Sequence, residues 1–251
     1  MNYSHLVKPS LSESDIESKI SDHNWHHSIP FTDSVSTEGY VHYSNQLLKI
    51  DHLPDDLSGK HVLDIGPKHG FYSIEAMNRG AESVTAIDIN AEREGVYDTL
   101  NEIFEFDLQL IIDDIMEHKF DREFDVVICF GVLHYIQDQK RFLDILSDLT
   151  QNSLCIDHPV TPSVRNRNSR FKPDNPEGGS WYQRKINSFA EYHAPIPTVP
   201  WIEQELSDRG FSIESKDTHV GVLLQRKLPK AAAIPSPHRY LPSRYVARAE
   251  Q

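Results

Sequence analysis

His61-Val-Leu-Asp-Ile-Gly-Pro-Lys-His-Gly-Phe-Tyr72 decides how the rest of the chain is read. Val62, Leu63 and Ile65 form a short apolar run, the pattern of a strand covered on both faces of a parallel sheet. Gly66 and Gly70 bracket a tight turn, and Phe71 to Arg79 read as a helix. Ile74 and Met77 supply its apolar face, and Gly80 stands where a left-handed stop belongs. A strand, a glycine-bracketed turn and a helix start let a ligand approach bare backbone. The next apolar run, Ser83 to Asp88, ends in a carboxylate. An acidic residue about 20 positions after such a turn, at the tip of the second strand, is placed to hold ribose hydroxyls. Two glycines alone are equally explained by a structural turn, and with Lys68 and no third glycine in place the dinucleotide fingerprint is not met.

Leu63-Asp64-Ile65-Gly66 with Gly70, then Ala86-Ile87-Asp88, resembles motifs I and II of the class I S-adenosylmethionine (SAM) methyltransferases. The resemblance implies a Rossmann-like, doubly wound α/β sheet, mostly parallel; the residues themselves add a C-terminal antiparallel hairpin and, ahead of the first strand, an N-terminal helical lid. It implies SAM as cofactor and S-adenosylhomocysteine (SAH) as product. Asp64, Gly66, Pro67, His69, Gly70, Phe71 and Tyr72 would line the first turn, and Asp88 and Ile89 the second strand's tip. Pro67 stiffens the turn and removes one amide donor without excluding the cofactor. After a third strand, Leu108 to Ile112, the resemblance assigns Asp114 and the Ile115 amide to adenine, with Asp113 as the fallback; a pair of solvated loop carboxylates is the plain alternative. Phe130-Gly131-Val132-Leu133-His134-Tyr135 resembles motif IV, at the carboxyl end of the strand Phe124 to Cys129.

Trp25-His26-His27-Ser28-Ile29, followed by Thr37 and Gly39, gives a second resemblance. With Asp56 to Lys60 and Arg79-Gly80-Ala81, the pattern is similar to a grouping of tRNA wobble-uridine methyltransferases that also holds many small-molecule methyltransferases. It runs from Trp25 to Arg226 and is weakest after His158. Many relatives read Tyr-His where this chain has His134-Tyr135, which bears on the substrate.

The 251 residues suffice for one sizeable domain with appendages: a cap over 1–55, a SAM-binding domain over 56–227 with a substrate lid at 158–198, and a flexible Pro-rich basic tail over 228–251. Hydrophobic content is 38%, and neither a membrane-crossing apolar run nor a signal-peptide pattern is present, so a cytoplasmic location is expected. Cys129 and Cys155 lie in apolar runs and read as reduced core residues. A net charge of −13 disfavours a phosphate backbone as partner. The expected partner is a small-molecule acceptor, with no membrane; nucleic acid is disfavoured, and a homodimer is compatible with the sequence.

Further elements follow from periodicity. Ser12 to Asp15 resembles a helix start with Leu11, Ile16 and Ile20 as stripe, and a second helical stretch ends near Leu48. Residues 91–104 carry Val96, Leu100, Ile103 and Phe104 at helical spacing, and Asp138 to Leu149 carries Phe142, Ile145, Leu146 and Leu149. Ser153 to Asp157 is a strand, six prolines break the pattern from His158 to Pro197, and a helix from Pro200 to Gly210 precedes a closing hairpin of 211–215 with 220–225.

The fourteen histidines direct attention to acceptor chemistry. Methyl transfer from a sulfonium is an in-line displacement, needing alignment, exclusion of water and, for a hydroxyl or ammonium acceptor, a base. His134 is the first candidate base, against the alternative of an imidazole bonded to backbone at a strand end; His26, His27 and Tyr135 follow. Trp25, His158, Trp181, Tyr182, Arg184 and His193 are candidate substrate contacts. His23, His26 and His27 would share a helical face, but with no Cys or carboxylate partner at a diagnostic interval no metal is expected. Three functions compete: methyl transfer to an O or N of a small molecule, tRNA wobble-uridine modification, and SAM binding without methyl transfer. Against the second stand the acidic balance, the absence of an added RNA-binding domain, and the absence of a Lys or Arg beside Trp25-His26-His27.

Overall fold

β1 (His61–Ile65) takes its place because four of its five residues are buried, leaving only His61 partly open. The computed structural model describes residues 9–160, 197–217 and 241–249. The described residues fall into two units: those up to Ile128 with Leu149–Asn152, and Cys129–Asp148 with the residues from Ser153 onward.

In the first unit β1 pairs in parallel with β2 (Ser83–Asp88), Asp64 lying opposite Ala86. β2 pairs in parallel with β3 (Leu108–Ile112), which sets Asp88 opposite Ile112. On its other side β1 pairs in parallel with β4 (Phe124–Phe130), Asp64 lying opposite Ile128. The order β3-β2-β1-β4 therefore reverses direction between β1 and β4. Ligands of such sheets lie beyond the carboxyl ends of the strands at that switch point, where Gly66 begins its turn.

The helices follow from their apolar stripes and caps. α1 (Glu13–Ile20) is capped by Ser12 Oγ, which accepts from the Asp15 amide at 3.3 Å, and it buries Ile16 and Ile20. Next come α2 (Tyr43–Ile50) and α3 (Phe71–Asn78). Every residue of α3 from Phe71 to Ala76 is buried, so the apolar face is broader than the expected Ile74–Met77 stripe. Arg79 ties this helix to the preceding chain, donating to Ile50 O at 2.8 Å, Leu53 O at 2.7 Å and Glu75 Oε1 at 2.8 Å. α4 (Arg93–Phe104) buries Val96, Tyr97, Leu100, Ile103 and Phe104. The N-terminal segment packs on α4: Phe104 stacks on Phe31 at 5.4 Å, and the Ser10 amide donates to Ile103 O at 2.8 Å.

In the second unit α5 (Gln139–Leu149) and α6 (Val199–Asp208) are joined by Arg209, 2.6 Å from Asp144 Oδ1 and 2.8 Å from Glu205 Oε2. Thr198 caps α6, accepting from the Trp201 amide at 3.3 Å. β5 (Thr150–Val160), β6 (Phe211–Asp217) and β7 (Leu241–Ala249) form antiparallel pairs in the order β5-β7-β6.

Three expectations are corrected here. Residues 241–249, read as flexible tail, form a strand, which among the described residues pairs with β6. Pro242 had counted as a breaker, but β6's register begins only at Arg244, so the missing N–H costs no bond on that side. β5 runs on through Pro159 to Val160, past the expected end at Asp157. His23 to His27 are not helical; His27 bridges in parallel to Val41. Trp181, Tyr182, Arg184, His193 and residues 220–225 lie outside the described residues, as do most of the expected lid and the tail segment 228–240.

Candidate active site

Gly66 and Gly70 hold φ of +65° and +72°, and Lys68 between them stands at +53°. A β-carbon on Gly70 would lie 2.6 Å from Leu100 Cδ1, so both backbone conformation and packing require glycine there. The Gly66 amide donates to Ile87 O at 2.9 Å, fixing the turn to β2, and the Gly70 amide donates to Pro67 O at 3.0 Å. Among the described residues the amides of Lys68, His69 and Phe71 have no protein acceptor, and α3 has no side-chain cap at its N-terminus. The turn is thus a set of backbone donors at a helix start, suited to ligand oxygens.

Asp64 lies beneath the turn, 1% exposed, and accepts from Ser73 Oγ at 2.7 Å; Ser73 Oγ also lies 2.7 Å from Tyr97 Oη. Burial pushes the Asp64 carboxyl up to about 7 and the Tyr97 hydroxyl well above its ordinary value. Asp64 therefore braces the turn from inside, a change from the cofactor contact expected of it. Asp88 stands at the strand tip with Oδ1 accepting from the Asn90 amide at 3.0 Å and Oδ2 3.9 Å from Arg93 Nε. Beside it Ile89 is 75% exposed, an apolar surface free to cover a ring.

The adenine assignment sharpens. Asp113 is committed: Oδ2 lies 2.7 Å from His118 Nδ1 and Oδ1 accepts from the Asp114 amide at 2.8 Å. Those bonds hold the Asp113 carboxyl below its usual range. Asp114 is exposed and accepts the Met116 amide on Oδ1, while the Ile115 amide has no acceptor among the described residues. Of the two carboxylates, Asp113 is thus held by two partners, and Asp114 beside the open Ile115 amide is the one left facing outward.

The histidine block folds over the turn's own residues. Thr37 Oγ1 donates to His27 O at 2.7 Å and accepts from the Ile29 amide at 2.7 Å, while Val41 and His26 share a backbone bond. Gly39 passes so close that a β-carbon would lie 2.1 Å from the His27 carbonyl carbon. The His27 ring packs on Phe71 at 5.6 Å and Tyr72 at 6.1 Å. Burial, then neighbouring cations, push His27 down to about 2, so it is too weak a base to take a proton at neutral pH, contrary to its expected role. Trp25 is also corrected: it is 5% exposed and its indole N–H donates to Ile20 O at 2.7 Å, which makes it a packing residue.

Sequence reading missed two cations. Lys68 Nζ lies 3.3 Å from His26 Nδ1, so a cation does stand beside the histidine block. Arg93 Nη1 lies 3.5 Å from His69 Nε2. Arg93, five positions past Asp88 at the head of α4, was findable as a cation on the ribose side; Lys68 against His26 is a tertiary contact with no local signal.

Within the second unit the Gly131 amide donates to Asp157 O at 2.8 Å, and Leu133–Tyr135 is a single 3-10 turn following β4. His134 is 5% exposed, with its ring 4.2 Å from that of Tyr135, which is 44% exposed. Phe130 is 8% and His158 1% exposed. Among the described residues no group of three or more His, Cys, Asp or Glu could hold a metal, and no helix is long and apolar enough to cross a membrane.

Residues 40–216 match the family described as a methyltransferase domain. The chain belongs to that family. It carries the domain of a class I SAM-dependent methyltransferase, a family whose cofactor is SAM. It is 24% identical over 115 residues to the tRNA U34 carboxymethyltransferase of Helicobacter pylori, covering 41% of this chain and 44% of that one. It is 27% identical over 110 residues to the ubiquinone biosynthesis O-methyltransferase of Neisseria meningitidis, covering 41% and 46%. The methyltransferase thus spans less than half the length of each of these relatives. A SAM-dependent methyltransferase from Mesorhizobium loti shares the fold, with a TM-score of 0.56 at 18% identity over 80% of this chain and 96% of that one.

Proposed function

We propose that this methyltransferase transfers the methyl group of SAM to an oxygen or nitrogen of a small-molecule acceptor. The observation that carries the cofactor half is the open turn: free amides at Lys68, His69 and Phe71 next to Asp88, with Ile89, Asp114 and the Ile115 amide for the nucleoside. Asp88 accepts ribose hydroxyls, Ile89 covers the adenine face and Asp114 takes the exocyclic amine. The net charge of −13 supports a small acceptor over a polyanion. Removal of an acceptor proton falls to His134, Tyr135 or His26, since His27, pushed down to about 2, is too weak a base to serve.

One observation favours the tRNA reading. Lys68 beside His26 supplies the cation whose absence counted against it. Transfer from labelled SAM to a panel of hydroxy- and amino-acceptors, run beside unmodified tRNA, separates the two. Label in tRNA with none in the small acceptors would replace the first reading with the second.

A further inference from the structure

Arg93 is 16% exposed and its Nε is buried without a hydrogen-bond acceptor; the carboxylate nearest to it is Asp88, at 3.9 Å. His69 Nδ1 accepts from the His26 amide at 3.3 Å. Burial, then Arg93, push His69 down to about 4, so the ring is neutral and its proton sits on Nε2. That Nε2–H faces Arg93 Nη1 at 3.5 Å, donor against donor, with no acceptor between them among the described residues. Lys68 Nζ lies 3.3 and 3.4 Å from the two ring nitrogens of His26, so it is not directed along the ring's one acceptor lone pair. Among the described residues it pairs with no carboxylate.

Among the described residues the negative charge acting on both cations is that of Asp88, so an uncapped helix start carries a local excess of positive charge on a chain of net −13. Lys68 also holds a left-handed backbone at φ +53°, a conformation that costs any residue with a β-carbon. A dinucleotide turn puts glycine at this position so that the backbone can come close to an anion. Here the same conformation is kept and an ammonium is added.

We propose that Lys68 and Arg93, with His69 Nε2–H, form an anion subsite on the cofactor turn that takes the oxygens of a ligand carboxylate or phosphate. The proposal rests on reading Gly66 to Asp88 as the cofactor turn. An oxygen between His69 and Arg93 removes the donor–donor conflict, and a planar guanidinium suits two oxygens at once. The anion belongs either to the amino-acid end of the cofactor or to the acceptor. In the second case the acceptor is a carboxylated or phosphorylated small molecule.

Inorganic phosphate titrated into the full chain at low salt, followed by amide chemical shifts, tests this. The expected result is saturable binding that moves the amides of 66–71 and weakens at least about five-fold in Lys68→Met and in Arg93→Met. Lys68→Gly, whose residue is at ease at that φ, serves if Lys68→Met fails to fold. Displacement of phosphate by SAH but not by 5′-methylthioadenosine, which lacks the amino-acid end, assigns the subsite to the cofactor. Phosphate binding alongside saturating SAH assigns it to the acceptor. If SAH does not bind while phosphate still depends on Lys68, the cofactor reading fails and the subsite stands. Absent binding, or equal binding in the variants, overturns the proposal.

Discussion

The bend after β1 and the bend after β4 both turn on glycines of positive φ, +65° and +72° at Gly66 and Gly70 and +76° at Gly131. They present different chemistry. The first leaves backbone amides open and surrounds them with fixed charges. The second closes its backbone, with the Gly131 amide on Asp157 O, and buries His134 while exposing Tyr135. The packing differs too: a β-carbon on Gly70 meets Leu100 at 2.6 Å, whereas nothing lies within 4 Å of one on Gly131. One bend thus offers a ligand main-chain donors beside fixed charges, and the other offers side chains alone.

The largest effect should come from testing the two glycines side by side. Gly70→Ala should cost about 3 kcal/mol of stability from backbone strain and overpacking, and Gly131→Ala about 1 kcal/mol from strain alone. Denaturant midpoints read both, and equal losses would break the contrast. Asp88→Ala should weaken SAM binding by about 2 kcal/mol while leaving the fold intact, because two hydroxyl bonds to a charged acceptor are lost. Tyr135→Phe in the second bend should leave SAM affinity unchanged in the same titration, whatever it does to turnover.

Asp64 gives the pH dependence. Its folded-state value, raised to about 7 by burial, lies above the unfolded one, so the folded state favours the protonated acid. Stability from this group is full below pH about 4, declines between about 4 and 7, and is flat above that. Asp64→Asn should flatten that decline, as read by thermal midpoints across pH. Lys68→Gly should raise stability by about 0.5 kcal/mol, since glycine adopts the left-handed conformation freely but loses more chain entropy on folding. A loss of stability there would mean that Lys68 is held by contacts worth more than its strain.

The first bend was legible because its determinants are local: a buried apolar run, glycines where φ must be positive, and an acid at the next strand tip. Asp64 misled because the same motif position can face the ligand or the core, and only Ser73 and Tyr97 beneath it decide. His27 misled for a similar reason, since its burial depends on Gly39 closing over it from twelve residues away. Lys68 against His26 joins segments 42 residues apart and leaves no trace in either. β7 was hidden by its proline, although Leu241-Pro-Ser-Arg-Tyr-Val-Ala-Arg-Ala249 has its other residues suited to a strand.

Calorimetric titration of SAH into the wild-type chain and into Asp88→Ala tests the cofactor site most directly. The site described here predicts micromolar binding to the wild type, weakened at least about ten-fold in the variant. Absence of heat and of any thermal shift with the wild type, or equal affinity in the two proteins, would contradict it.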